Sequence, residues 1–246
     1  MAGFDLIQFL TDMNRENDID KSFKILSKAC STVGLDRLVY SLVTPHDSID
    51  MPAGHAIVGN YPDDWMQHYH KKRYEQIDPV IKHIKQSEGI FKWDDLNNIN
   101  NKEITLMKEA RESGLYSGLG LSLKNYYGEI VGMGFASSEK NVELDTATQQ
   151  FILLVSKQFD LNFKTIFLNK NKKNKQNNLP LYTLTLKQKD VLCWIAKEKT
   201  YGEISSIMNI SENTVLYHTK EIFKRLNVNS QIAAVLKAIK LGLITP

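Results

Sequence analysis

"LTLKQKDVLCWIAKEKTYGEISSIMNISENTVLYHTKEIFKRLNVNSQIAAVLKAIKLGLI" occupies residues 184–244, and helix-start signals punctuate it. Thr185 with Gln188 has the capping-box pattern and opens "LKQKDVLCWIAKE". Thr200 with Glu203 repeats it and opens "YGEISSIMN". Ser211 caps "ENTVLYHTKEIFKRL", and Ser230 caps "QIAAVLKAIKLG". Hydroxyl side chains at these positions accept from backbone N–H groups that the first helical turn leaves unpaired. Four short capped helices describe a small all-helical domain. The second and third are joined by Asn209-Ile210, with Ile210 placed to plug the core, which is helix-turn-helix spacing.

On the third helix Val215, Thr219, Ile222 and Leu226 recur with helical period, so that face is inside. The outer face carries Asn213, Leu216, Tyr217, Lys220 and Lys224, with Thr214 beside them. Amide, aromatic and cationic groups together can meet base edges and phosphates. A merely solvated helix also carries lysines, so context decides. Residues 169–246 hold 13 Lys+Arg against 5 Asp+Glu, whereas residues 1–168 hold 18 against 23. A basic piece behind an acidic body favours a polyanionic partner, and with the helix pair that partner is DNA.

The stretch 169–180, "NKNKKNKQNNLP", is polar, rich in Asn and Lys, and cannot bury a core, so it reads as a linker. The expected division is therefore 1–168, linker 169–180 and 181–246. Before the linker, helical spacing over 4–14, 21–32, 62–73, 77–87 and 103–112 alternates with strand patterns at 37–43, 55–60, 118–124 and 129–137. Residues 145–168 form one long helix. "NYYG" between the last two strands suggests a hairpin, hence an antiparallel sheet. The expected fold class is α+β: an N-terminal α/β/α sandwich with antiparallel sheet, followed by a four-helix helix-turn-helix domain. Cys30 and Cys193 match no metal or disulfide spacing and read as buried, reduced thiols of a cytoplasmic protein. The N-terminus has no basic n-region or long apolar run of a signal peptide, and no segment approaches the ~20 apolar residues of a membrane span. No G-x-S-x-G elbow and no histidine cluster with ligand spacing occurs, so neither an enzyme nor a metal centre is expected.

"NYPDDWMQHYHKKRYEQIDPV" (60–80) places Tyr61, Trp65 and Tyr69 four residues apart, with Asp78 just ahead of Pro79. An indole N–H only donates and a carboxylate only accepts. A small neutral ligand with a carbonyl and an amide N–H would satisfy both, and the hydroxyls of Tyr61 and Ser137 serve either way. Three aromatics at helical spacing can equally be packed core, and Asp78 can equally be a helix cap. The residues by themselves leave both readings open.

Residues 184–244 resemble, without a gap, the DNA-binding domain of LuxR-type transcription regulators. That resemblance implies a recognition helix in the third helix and a dimer contact in the fourth. Two positions depart from the family pattern. Gln188 stands for the usual Glu and can still complete the capping box. Glu198 stands for the usual Gly, where a left-handed conformation would cost roughly 1–2 kcal/mol, so a remodelled turn is expected. The acidic pairs and late lysine of a phosphoacceptor receiver are missing from residues 1–168, so the input signal is something else. Roughly residues 5–168 resemble the autoinducer-binding domain of acyl-homoserine-lactone receptors, through "NYPDDW", "HY", "DPV", Trp93 in "IFKW" and Gly118 in "YSGLGL". The resemblance implies that Trp65 donates to a lactone carbonyl and Asp78 accepts from an amide N–H. It further implies that Tyr61 and Ser137 bond the amide carbonyl, while Tyr69 and Trp93 wall the pocket. Val39, Ser41, Ile57, Leu121 and Met133 are expected around the acyl tail. Part of the stripe Phe151, Leu154, Val155, Phe159 and Phe163 is expected to form a dimer seam. The whole reads as a cytoplasmic, homodimeric quorum-sensing regulator, an activator before a repressor. It would need no cofactor; its partners would be an N-acyl-homoserine lactone, palindromic promoter DNA and RNA polymerase, with no membrane.

Overall fold

The computed structural model describes residues 4–125, 128–140, 142–174 and 183–245. The chain divides into two compact units, Met1–Asn169 and Lys170–Pro246.

The first unit is built on a five-stranded antiparallel sheet, in the order β2-β1-β5-β4-β3. The strands are β1 (Arg37–Leu42), β2 (Gly54–Gly59), β3 (Gly89–Lys92), β4 (Ser117–Lys124) and β5 (Ile130–Ser137). β4 and β5 pair from Ser117↔Ser137 to Lys124↔Ile130, as the hairpin reading requires; part of the expected turn, residues 126–127, lies outside the described residues. β3 was not expected. Its four residues are too few to show a period, and pairing with β4 makes them a strand.

Side chains alternate across a sheet, so each strand feeds two cores. On one face Leu38, Tyr40, Leu42, Leu119, Leu121 and Phe135 pack with α1 (Leu6–Arg15), α2 (Ile19–Ser31) and α6 (Thr146–Asn174). Phe151, Val155, Phe159 and Phe163 of α6 are buried in this core, so of the expected dimer seam only Leu154 is exposed. A buried polar link fixes α6 to the sheet: the Tyr40 hydroxyl donates to Asp160 at 2.8 Å, and Lys164 donates to the other carboxylate oxygen at 2.7 Å. Against the opposite face stand α3 (Asp63–Lys71), α4 (Pro79–Gln86) and α5 (Asn101–Glu112), whose apolar residues form a separate core. Helices on both faces make the α/β/α sandwich. The first residues of the expected linker, 169–174, continue α6; residues 175–182 lie outside the described residues.

The second unit contains α7 (Leu186–Ala196), α8 (Tyr201–Met208), α9 (Glu212–Leu226) and α10 (Gln231–Lys240) around their own core. All four expected caps are formed. Thr185 and Gln188 exchange reciprocal bonds of 3.3 and 3.0 Å, and Thr200 and Glu203 do the same at 3.3 and 2.8 Å. Ser211 accepts from Thr214 N at 3.1 Å and Ser230 from Ala233 N at 3.2 Å. The turn after α7 is not remodelled. Glu198 takes the left-handed conformation at φ +60°, and Lys199 N still donates back to Trp194 O. The helix end is satisfied at the expense of a strained side-chain-bearing residue.

Candidate ligand chamber and nucleic-acid interface

Between the sheet and α3–α5 lies a chamber with mostly apolar walls. Its floor is the sheet face carrying Val39 and Ser41 of β1, Val43 just beyond that strand, and the glycines of β5. A Cβ at Gly134 would stand 2.6 Å from the Tyr61 hydroxyl, so the missing side chain is what lets that tyrosine lie across the sheet. At Gly118 a Cβ would meet the Trp93 ring at 2.3 Å, and the bare backbone lets the indole lie flat against β4.

Tyr61, Trp65, Tyr69 and Asp78 all line the chamber. Tyr61 precedes α3 by two residues yet keeps to the same side. Trp65 and Tyr69 are also packed core, 4% and 3% exposed, with ring centroids 5.8 Å apart. Packed core and chamber wall are therefore the same residues. The same is true of Asp78. One carboxylate oxygen caps α4, accepting from Val80 N at 2.7 Å and Ile81 N at 3.4 Å; the other accepts from the Tyr69 hydroxyl at 2.8 Å. Asp78 is thus not an acceptor left without donors. Burial pushes its carboxyl above the ordinary aspartate value, and these hydrogen bonds oppose the shift. Burial and the nearby Asp78 charge hold the Tyr61 and Tyr69 hydroxyls protonated far above their usual range. At this end the chamber offers a carboxylate acceptor, two protonated phenols and the Trp65 indole. Trp93 lines the wall as expected and brings a second indole N–H, buried and unpartnered.

Three expected positions are not in the walls. Ser137 is fully buried, and its hydroxyl accepts from Glu139 N at 2.9 Å. Its neighbour Ala136 belongs to the chamber-side core while Phe135 belongs to the opposite one, so strand alternation turns Ser137 away. Leu121 likewise packs in the core beneath α6. Ile57 is 37% exposed on the edge strand β2. Val39 and Ser41 do line the chamber, whereas Met133 borders it but, like Leu121, is fully buried in the core beneath α6.

His55 was missed. It stacks on Tyr69 with centroids 4.9 Å apart and planes at 17°, and its Nδ1 lies 3.3 Å from Ser41 Oγ. Burial, reinforced by the neighbouring His70, pushes its pKa down to about 4, so the ring is neutral at physiological pH. β2 shows no alternation that marks a histidine as inward. Only its position beside β1 does.

In the second unit, α9 follows α8 through a left-handed Asn209 at φ +51°, and Ile210 packs on the core. Val215, Thr219, Ile222 and Leu226 are buried. Asn213, Leu216, Tyr217, Lys220 and Lys224 are exposed, Tyr217 at 61%. Thr214 differs: it is half-buried, and its hydroxyl lies 2.8 Å from that of Ser211, within the cap. Among the described residues no cluster of three or more His, Cys, Asp or Glu could hold a metal, and no helix is long and apolar enough to cross a membrane.

A chamber in the first unit and a helix-turn-helix in the second define the class as a one-component transcription regulator. Comparison with known proteins agrees. Residues 18–161 match the autoinducer binding domain, and residues 182–238 match the luxR family of bacterial regulatory proteins. The chain belongs to the luxR family of transcription regulators, which are not enzymes, and carries an autoinducer-binding domain. A putative HTH-type transcriptional regulator of Sinorhizobium fredii is 31% identical over 91% of this chain and 68% of its own length. The transcriptional activator AnoR of Acinetobacter nosocomialis is 28% identical over 92% of each chain, and LuxR of Aliivibrio fischeri 27% identical over 93% and 88%. Among solved structures, Escherichia coli SdiA superposes with a TM-score of 0.73 at 22% identity, covering 98% of both chains; SdiA has also been solved in complex with octanoyl-rac-glycerol.

Proposed function

We propose that this protein is a cytoplasmic transcription activator that binds an N-acyl-homoserine lactone and, as a homodimer, a palindromic promoter site, where it engages RNA polymerase. One observation carries the reading. A buried carboxylate, Asp78, faces the same chamber as the Trp65 indole and the Tyr61 hydroxyl. A ligand with an amide N–H between two carbonyls satisfies this set: Asp78 accepts from the amide N–H, Trp65 donates to the lactone carbonyl, and Tyr61 donates to the amide carbonyl. Tyr69 and Trp93 enclose the head, and Val39, Val43 and Ile84 receive the chain.

On DNA, Asn213, Leu216, Tyr217 and Lys220 meet base edges while Lys224 meets phosphate. Half-sites about one helical turn apart, ~10 bp, match two such units in a symmetric dimer. For the dimer, Leu154, Leu161 and Leu168 are exposed on α6 at 47%, 59% and 42%. They stand seven residues apart, a spacing that keeps them on one seam.

The test is expression of the full chain with and without a mixture of acyl-homoserine lactones. Mass spectrometry of the extracted ligand, sizing and DNA binding follow. A lactone recovered in equal molar amount with a DNA-binding dimer is expected. Recovery of an acylglycerol, or ligand-independent DNA binding, would refute the lactone assignment.

A further inference from the structure

His55 reaches the chamber through an irregularity of the sheet. β1 and β2 pair as Tyr40↔Val58 and Leu42↔Gly54, so three residues, His55, Ala56 and Ile57, stand opposite Ser41 alone. A bulge of this kind re-aims a side chain that a regular ladder would place elsewhere. Its cost is visible in the backbone: Ala56 carries a side chain yet takes φ +49°, in the left-handed region. Ser41 holds that conformation. Its Oγ accepts from Ala56 N at 2.9 Å, which leaves the hydroxyl hydrogen for His55 Nδ1 at 3.3 Å. A strained residue persists only where its surroundings fix it, and here it adjoins a ring that lines the chamber.

What the bulge delivers is the stack of His55 on Tyr69, nearly parallel at 17° and 4.9 Å, an arrangement that aromatic pairs favour. Held against His55, the Tyr69 hydroxyl donates to the Asp78 oxygen that does not cap α4. This bond acts on Asp78 in two ways. It fixes the plane of a carboxylate that the helix cap holds by one oxygen only. It also opposes the upward push of burial on the carboxyl and so favours the charged form. A charged carboxylate is the stronger acceptor for an N–H. Resting on the acyl-homoserine-lactone reading above, we infer that His55 is a positioning residue: from the β2 bulge it pins Tyr69, so that the Tyr69 hydroxyl presents Asp78 to the ligand's amide N–H.

The test uses the full chain, the tightest-binding N-acyl-homoserine lactone of a chain-length series, and the ester counterpart in which oxygen replaces its amide N–H. His55→Leu should bind the amide ligand about tenfold more weakly than the parent, and the ester ligand within about twofold of it. In a Tyr69→Phe background the same substitution should change amide binding by no more than about twofold, because the hydroxyl through which His55 acts is gone. His55→Phe restores a ring on Tyr69 and should recover most of the loss. An equal loss for both ligands, or in both Tyr69 backgrounds, would reduce His55 to packing and overturn this inference. Unchanged amide binding by His55→Leu would overturn it too, and each of these results leaves the lactone reading intact. Failure of the unmodified protein to bind the amide ligand would overturn that reading and this inference with it. If His55→Leu does not fold, His55→Gln, which also removes the ring, is judged by the same outcomes.

Discussion

Asp78 has two roles that a single substitution can separate. Asp78→Asn retains an amide oxygen for Val80 N and Ile81 N, and Asn caps helices about as well as Asp. Rotated so, its amide nitrogen can donate to the Tyr69 oxygen, and the fold keeps its contacts. Burial raises the Asp78 carboxyl, so the charge is itself a burden on the folded state that Asn removes. Thermal stability without ligand should therefore be unchanged or higher. What Asn cannot do is accept from the ligand amide with the atom that now bears hydrogens. A hydrogen bond to a charged acceptor contributes ~1.5–3 kcal/mol, so half-maximal ligand concentration should rise by about 10- to 150-fold. Asp78→Ala serves as the contrast: loss of the cap costs ~1 kcal/mol and the orphaned Tyr69 hydroxyl ~1–3 kcal/mol, so it should destabilise the first unit before any ligand is added. Calorimetric melting and a ligand titration read on a promoter reporter measure the two effects independently. An Asn variant with the parent's dose–response curve would show that Asp78 is a helix cap and nothing more.

In the second unit, Glu198→Gly should relieve ~1–2 kcal/mol of left-handed strain against ~0.4–1 kcal/mol of added unfolded-chain entropy. The net gain of about 0.5–1 kcal/mol should raise its melting temperature by ~2–8 °C, and an unchanged or lower value would reveal a stabilising contact of the glutamate. Lys224→Ala should weaken binding to all DNA sequences alike and reduce the salt slope by about one, whereas Tyr217→Ala should change which bases are selected from random DNA. Identical selected motifs would remove Tyr217 from base readout. His55 predicts a pH dependence. Its folded pKa of about 4 lies below the ordinary 6.5, so its contribution is intact above pH 6.5 and lost as the pH falls towards 4. At about 1.4 kcal/mol per pH unit the ceiling is ~3 kcal/mol. His55→Gln should flatten stability over that window, and an unaltered slope would assign the loss to other groups.

The parts legible in the sequence are those whose cause is local. Every cap of α7–α10 is a bond between residues three apart, so Thr185, Thr200, Ser211 and Ser230 announce their helices before any tertiary contact exists. The buried and exposed faces of α9 follow from helical period in the same way. The left-handed demand at Glu198 was legible too, but not its outcome: the surrounding turn holds the strain instead of changing. Tyr61, Trp65, Tyr69 and Asp78 could be named from one continuous stretch because α3 and the start of α4 deliver them together. That they serve as core, cap and chamber wall at once depends on what packs against them. Sheet facts were beyond reach for a specific reason. A strand's two faces differ by one residue, so the register β4↔β5↔β1 alone turns Ser137 and Leu121 away from the chamber and Ser41 into it. β3 exists because β4 offers it an edge, and His55 reaches the chamber wall because β2 lies beside β1. Short-range hydrogen bonds and periodicity are written along the chain, whereas burial of a particular strand face is decided only when distant segments pair.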